Sequence, residues 1–127
     1  MKIVSLFCAV LAFASAGTVR ADENDAAVYE RLCGSCHGFD PGSLAMQGPH
    51  LRWSYGRKAG SVRGFVYSEA LRTLDLAWTD ATLAAYLKDP RGYLPGTKKY
   101  QKVTNEQDLK RVIAFLKTTQ TPPERQQ

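Results

Sequence analysis

Residues Cys33-Gly34-Ser35-Cys36-His37 form a C-x-x-C-H run. Two thiols on adjacent turns can add to the two vinyl groups of haem, while the next residue ligates iron from one face. Two other uses of such a run compete. A thioredoxin-like redox pair expects a strand feeding a helix within an α/β pattern, which this short helical sequence does not show. Zinc would take Cys33, Cys36 and His37 as contiguous ligands, a poor fit to a tetrahedron, with His50 the only good ligand left. The run therefore predicts one haem c, attached through Cys33 and Cys36, with His37 on the iron.

Upstream of this run, Met1 to Ala21 open on Lys2, continue as the apolar stretch Ile3 to Ala16, and give way to Asp22, Glu23 and Asp25. That is the layout of a signal peptide, with small-x-small cleavage positions after Ala16 and after Ala21. The polar run from Asp22 favours the second, so residues 1–21 are read as a signal peptide. An uncleaved anchor is the alternative, but the apolar stretch falls short of the roughly 20 residues a spanning helix needs. Export also agrees with covalent haem attachment, which many bacteria carry out beyond the inner membrane. Over all 127 residues, 44% are hydrophobic, 23% are charged and the formal net charge is +5, values of an ordinary globular domain rather than a disordered or membrane chain. Loss of Lys2 and Arg20 with the signal leaves 15 basic against 12 acidic residues, a net of +3. Nucleic acid is accordingly not expected as a partner.

Downstream, periodicity and caps outline an all-α domain over residues 22–121, with three to five helices and long loops, followed by a flexible tail at 122–127. Asn24 or Asp25 can cap a helix from Ala26 to about Gly34 that leads into the haem motif. From Gly38 to Gly64 the chain has six glycines and two prolines and no period, a long loop that a large apolar cofactor would order. Ser68 can cap a short turn at Glu69 to Thr73, and Thr79 with Asp80 begins a helix that Pro90 stops. After a loop from Asp89 to Val103, Thr104 and Gln107 suggest a capping box for a terminal helix with Leu109, Val112, Ile113 and Leu116 on one face. No strand is expected.

These motifs in this order resemble class I cytochrome c, in its mitochondrial-like, alphaproteobacterial branch. The resemblance covers nearly all of residues 24–118. It rests on Cys33 to His37, Gly48-Pro49-His50-Leu51, Gly56-Arg57-Lys58-Ala59-Gly60, the stretch Gly64 to Ala70, Trp78, Tyr86-Leu87 with Pro90, and Tyr93-Leu94-Pro95-Gly96-Thr97-Lys98. It implies the cytochrome c fold around one haem, thioethers at Cys33 and Cys36, and proximal ligation by His37. The Pro49 carbonyl would accept the other imidazole proton. Tyr67 and Trp78 resemble the family's donors to a haem propionate and Arg57 its nearby cation. Leu51, Tyr86 and Leu87 resemble pocket walls, and Thr97 lies in the loop that reaches the cofactor. Each of these also has a plain core reading.

The departure lies on the distal side. In the family, Pro-Gly-Thr-Lys is followed by the Met that binds iron, whereas here Lys99 and Tyr100 follow. Met46, the only Met outside the signal, belongs to the Gly-Pro loop and is a poor substitute. Lys99 is the first candidate for the sixth ligand, since a neutral amine binds iron if the gain offsets deprotonation. Lys98, Tyr100, His50 and water stand behind it. An amine is harder than a thioether and favours ferric iron, so a lowered potential is expected.

The resulting expectation is a soluble periplasmic carrier passing single electrons between redox proteins, monomeric, without a membrane segment after cleavage, and not an enzyme. Lys58, Lys88, Lys98, Lys99 and Lys102 could form a basic rim for docking. The rival reading is a haem enzyme or a gas- or peroxide-responsive protein exploiting an open sixth position. A weak peroxidase-like activity belongs to that rival, although no distal His and Arg pair is evident.

Overall fold

The computed structural model describes residues 24–43 and 47–120. The signal peptide and C-terminal tail expected from the sequence, and Met46, lie outside these. The described residues form helices joined by long loops, all-α as expected, with only two isolated bridges in place of strands, His37 with Gly48 and Lys58 with Ala77.

Helix α1 spans Asp25–Tyr29, and Asn24 caps it by accepting from the Ala27 N–H at 2.9 Å. The expected continuation to Gly34 exists but changes pitch. Residues Glu30–Gly34 form a π-helical turn that widens the helix just where Cys33 leaves it. Helix α2 is the single turn Glu69–Arg72, capped by Ser68. Helix α3, Asp80–Lys88, begins with a reciprocal box between Thr79 and Thr82. The loop expected from Asp89 to Val103 is interrupted by α4, Pro90–Tyr93. Pro90 ends α3 and at the same time starts α4, because its missing N–H costs nothing in a first helical turn. Helix α5 is Glu106–Thr118. Its cap is Asn105 rather than the expected Thr104: the Asn105 side chain accepts from both Gln107 and Asp108 N–H groups at 2.9 Å.

The core lies where α1 and α3 pack against α5. Leu109, Val112, Ile113 and Leu116 are all buried, as their spacing requires, and meet Val28, Tyr29 and Leu83. Tyr29, Phe39 and Phe115 stack around one point, with centroids 4.7 to 5.6 Å apart. Burying each large side chain of this kind contributes on the order of 1.5–3 kcal/mol. This packing locks α1 to α5 and leaves the two long loops to close around a cavity. No helix among the described residues is long and apolar enough to cross a membrane.

Candidate haem site

A cavity of about 190 Å³ opens among the C-x-x-C-H run, the loop 47–68, α3 and the segment 98–101. Its walls are largely apolar, with Leu32, Leu51, Leu71, Leu83 and Leu87 beside Val112 and Leu116. Cys33, Cys36 and His37 all line it. Cys33 is buried and Cys36 half-buried, and both are free thiols, the species that would become thioethers. Burial pushes the Cys33 thiol up to about 11.

His37 is held by backbone geometry. Its Nδ1 lies 2.8 Å from the Pro49 carbonyl oxygen. A carbonyl only accepts, so Nδ1 carries the proton and Nε2 keeps a lone pair for a metal. Burial lowers the imidazole pKa and favours that neutral form. Gly48 lies against the ring face: a Cβ built there would stand 2.1 Å from His37 Cε1. The glycine is also tied in place, its N–H donating to the Cys36 carbonyl at 2.9 Å. Only a residue without a side chain fits this close approach.

The loop 47–68 is ordered by the segment before α3. Gly56 N–H donates to the Trp78 carbonyl at 2.7 Å, Trp78 N–H to Arg57 at 3.0 Å, and Ala59 N–H to Leu76 at 2.9 Å. These bonds bring Arg57 and Trp78 to the same cavity, which Tyr67 also lines. Tyr67 accepts from the Val62 N–H at 3.2 Å, which leaves its own O–H free to donate. No carboxylate among the described residues pairs with Arg57, and burial lowers its pKa.

On the opposite wall, Tyr86 of α3 and Thr97 of the following loop are buried and their hydroxyls meet at 2.7 Å. Thr97 Oγ1 also accepts from the Lys99 N–H at 3.4 Å. Lys98, Lys99 and Tyr100 line the cavity, with Lys99 half-buried and the other two exposed. His50 is not among the lining residues. Of the other side chains placed near the cofactor by sequence, Leu51, Tyr86 and Leu87 line the cavity, while Thr97 stands behind its wall through Tyr86.

Three features were missed by sequence reasoning. Gln47 and Gln101 flank Cys36, with Oε1 and Nε2 at 3.8 and 3.7 Å from its sulfur. Ser54, beside Arg57, lines the cavity as a buried polar residue. Gln and Ser in loops carry no spacing signal, so nothing in the sequence could have found them. The basic rim is also weaker than its lysine count implies. Lys58 pairs with Asp75 at 3.0 Å, Lys88 with Glu106 at 2.5 Å and Lys102 with Asp89 at 2.7 Å.

The residues fit a haem. The cavity offers apolar walls for a macrocycle, two thiols for its vinyl groups, a neutral imidazole with a free nitrogen, and a half-buried cation without an anion. The family model for cytochrome c matches residues 23–120. Cytochrome c2 of Blastochloris viridis is 35% identical over 107 residues, covering 81% of this chain and 84% of its own length. Cytochrome c2 iso-2 of Magnetospirillum molischianum is 40% identical over 95 residues, covering 74% and 97%. Among solved structures, cytochrome cH from Methylobacterium extorquens superposes with a TM-score of 0.66 at 32% identity, covering 74% of this chain and 94% of that one. The C-x-x-C-H geometry, the cavity and these matches agree, and the chain belongs to the cytochrome c family, with one haem c attached through its two described cysteines.

Proposed function

We propose that this cytochrome is an exported, periplasmic carrier of single electrons between redox proteins, with Lys99 as the sixth iron ligand and a potential below that of Met-ligated relatives. The observation that carries the ligand assignment is the half-buried Lys99 side chain, which shares one cavity with His37. Burial holds its amine below the ordinary lysine value of 10.5. The Cys33 and Cys36 thiols act against that shift, and their opposition disappears once both sulfurs are thioethers. A lysine already eased toward its neutral form has a smaller deprotonation cost to offset when it binds metal.

Haem supplies the one-electron exchange between ferric and ferrous iron. The chain does the rest. Cys33 and Cys36 tether the cofactor, His37 presents Nε2, and the Pro49 carbonyl holds the Nδ1 proton so that the imidazole keeps one orientation. Arg57, Tyr67 and Trp78 are the residues of the cavity wall suited to the haem carboxylates. The largely apolar walls suit the macrocycle and would keep water from it once it fills the cavity. Residues 1–21 serve as the export signal and 122–127 as a tail in this reading.

The test is an optical and paramagnetic-resonance titration of the ferric protein from about pH 5 to about pH 11, beside Lys99→Ala. A low-spin, nitrogen-ligated signal at neutral pH that the substitution abolishes is the expected result. A high-spin spectrum with ready cyanide or carbon monoxide binding, unchanged in Lys99→Ala, overturns the assignment and favours a ligand-binding or catalytic role.

A further inference from the structure

The turns between Leu51 and Arg57 hold a polar group that the electron-carrier reading does not use. Ser54 is only 5% exposed. Its backbone is fully engaged, the N–H donating to the Leu51 carbonyl at 3.1 Å and the carbonyl accepting from the Arg57 N–H at 3.2 Å. Its Oγ, by contrast, is closed to solvent and has no hydrogen-bond partner among the described residues. A buried hydroxyl left unpaired costs about 1–3 kcal/mol. Ser54 lines the cavity, and so does Arg57. One wall thus carries a hydroxyl without an acceptor and, three residues on, a half-buried guanidinium without an anion. A single carboxylate inside the cavity would answer the guanidinium, and would answer the hydroxyl once rotation about χ1, which leaves the backbone undisturbed, turns Oγ from its closed position toward the cavity.

We propose that Ser54 is a further positioning residue for the cofactor: its hydroxyl donates to the haem carboxylate that Arg57 faces. This rests on the reading of Arg57 as the cation of that carboxylate. Ser54 and Arg57 then grip one edge of the cofactor from consecutive turns, one with a neutral donor and one with a charge. Removing the hydroxyl leaves more negative charge on the carboxylate, which favours ferric iron.

The experiment compares the purified holoprotein with Ser54→Ala, Ser54→Thr and Arg57→Gln by resonance Raman spectroscopy of the carboxylate bending band, by midpoint potential against pH, and by thermal midpoint. Ser54→Ala is expected to shift the band, lower the potential and raise the pH at which the carboxylate's protonation modulates it, while Ser54→Thr, which keeps a hydroxyl, stays near the parent. If Ser54→Ala fails to retain haem, Ser54→Cys replaces it, its weaker donor giving a smaller shift in the same direction. An unmoved band and potential with a raised thermal midpoint would mean the hydroxyl is unpaired in the holoprotein too, and overturns the proposal. An unmoved band with a lowered thermal midpoint would assign the hydroxyl to a buried water, and also overturns it. Should Arg57→Gln shift the band while Ser54→Ala does not, Ser54 alone is misassigned. If neither moves it, the carboxylate reading of Arg57 fails as well.

Discussion

Gly48→Ala strikes the proximal side through a single methyl group. A Cβ at position 48 lies 2.1 Å from His37 Cε1, 2.4 Å from Nδ1 and 2.7 Å from Nε2, whereas ordinary contact begins at 3.4 Å. Gly48 cannot retreat easily, because its N–H donates to the Cys36 carbonyl at 2.9 Å and Pro49 follows it directly. The imidazole must then move by roughly 1.3 Å, the shortfall at Cε1. Such a movement breaks the 2.8 Å bond from Nδ1 to the Pro49 carbonyl. Losing a hydrogen bond to a ring polarised by a metal costs about 1–3 kcal/mol. That corresponds to roughly 5- to 140-fold in the balance between ligated and detached His37. The assay is the ferric optical spectrum of the matured protein with denaturant titration, the detached state reading as high-spin. Pro49→Ala, which keeps the carbonyl, is the milder companion. If Gly48→Ala matures fully, stays low-spin and unfolds at the parent denaturant midpoint, the ring is not confined as argued and the proximal reasoning fails.

Tyr29→Phe should stabilise the protein by about 1 kcal/mol, since the Tyr29 hydroxyl is buried without a partner among the described residues, and a fall in denaturant midpoint would reveal a partner instead. Tyr86→Phe removes the 2.7 Å bond to Thr97 and should cost about 1–2 kcal/mol. If that cost falls on the Lys99-ligated state, the fraction open to cyanide rises roughly 5- to 30-fold, and an unchanged binding isotherm refutes the link. Acidification should also be destabilising in a defined window. Hydrogen bonds from Lys117, Lys102 and Lys88 hold Asp80, Asp89 and Glu106 below their ordinary 3.8, 3.8 and 4.5. The unfolded chain therefore binds more protons there, so this stability is present above those ordinary values and lost as pH falls through the depressed ones. Thermal midpoints from about pH 5 to about pH 2.5 should show a slope that Lys117→Met and about 0.5 M salt both flatten, and a slope indifferent to both would refute it.

The readable parts of this fold were those where one residue type has one dominant use. Leu109, Val112, Ile113 and Leu116 could only be an amphipathic face, and Thr79 before an apolar run could only begin a helix. Pro90 has two uses, ending one helix and starting another, and the stop alone was expected. The π-helical turn at Glu30–Gly34 leaves no trace in hydrophobic spacing, because its widening changes the backbone and not the pattern of buried residues. In the site, the C-x-x-C-H run was legible because its chemistry is local. The pairing of rim lysines was not, since Asp75, Asp89 and Glu106 reach their partners across thirteen or more residues that only folding brings together. Ser54 was hidden for the opposite reason: a serine in a loop usually faces water, and its burial comes with a turn that only folding ties, through Gly56 and Arg57, to Trp78.

The two sides of the cavity are built to different standards. On the proximal side, Gly48, Pro49, Cys36 and His37 constrain one another within a few ångströms, so a change at any of them disturbs the rest. On the distal side, residues 98–102 form a strap secured mainly at its ends. Thr97 is fixed by the Tyr86 hydroxyl, Val103 N–H donates to the Leu87 carbonyl at 2.9 Å, and Lys102 pairs with Asp89. These end anchors lie on α3 or the residue that follows it, Gln101 adds a 3.7 Å contact to the Cys36 sulfur between them, and none involves the side chain of Lys99. Replacing the residue at position 99 therefore leaves these attachments intact while changing what the strap presents to the cavity. On the proposed assignment of Lys99, a cytochrome built this way alters its sixth ligand, and with it its potential, without rebuilding its fold.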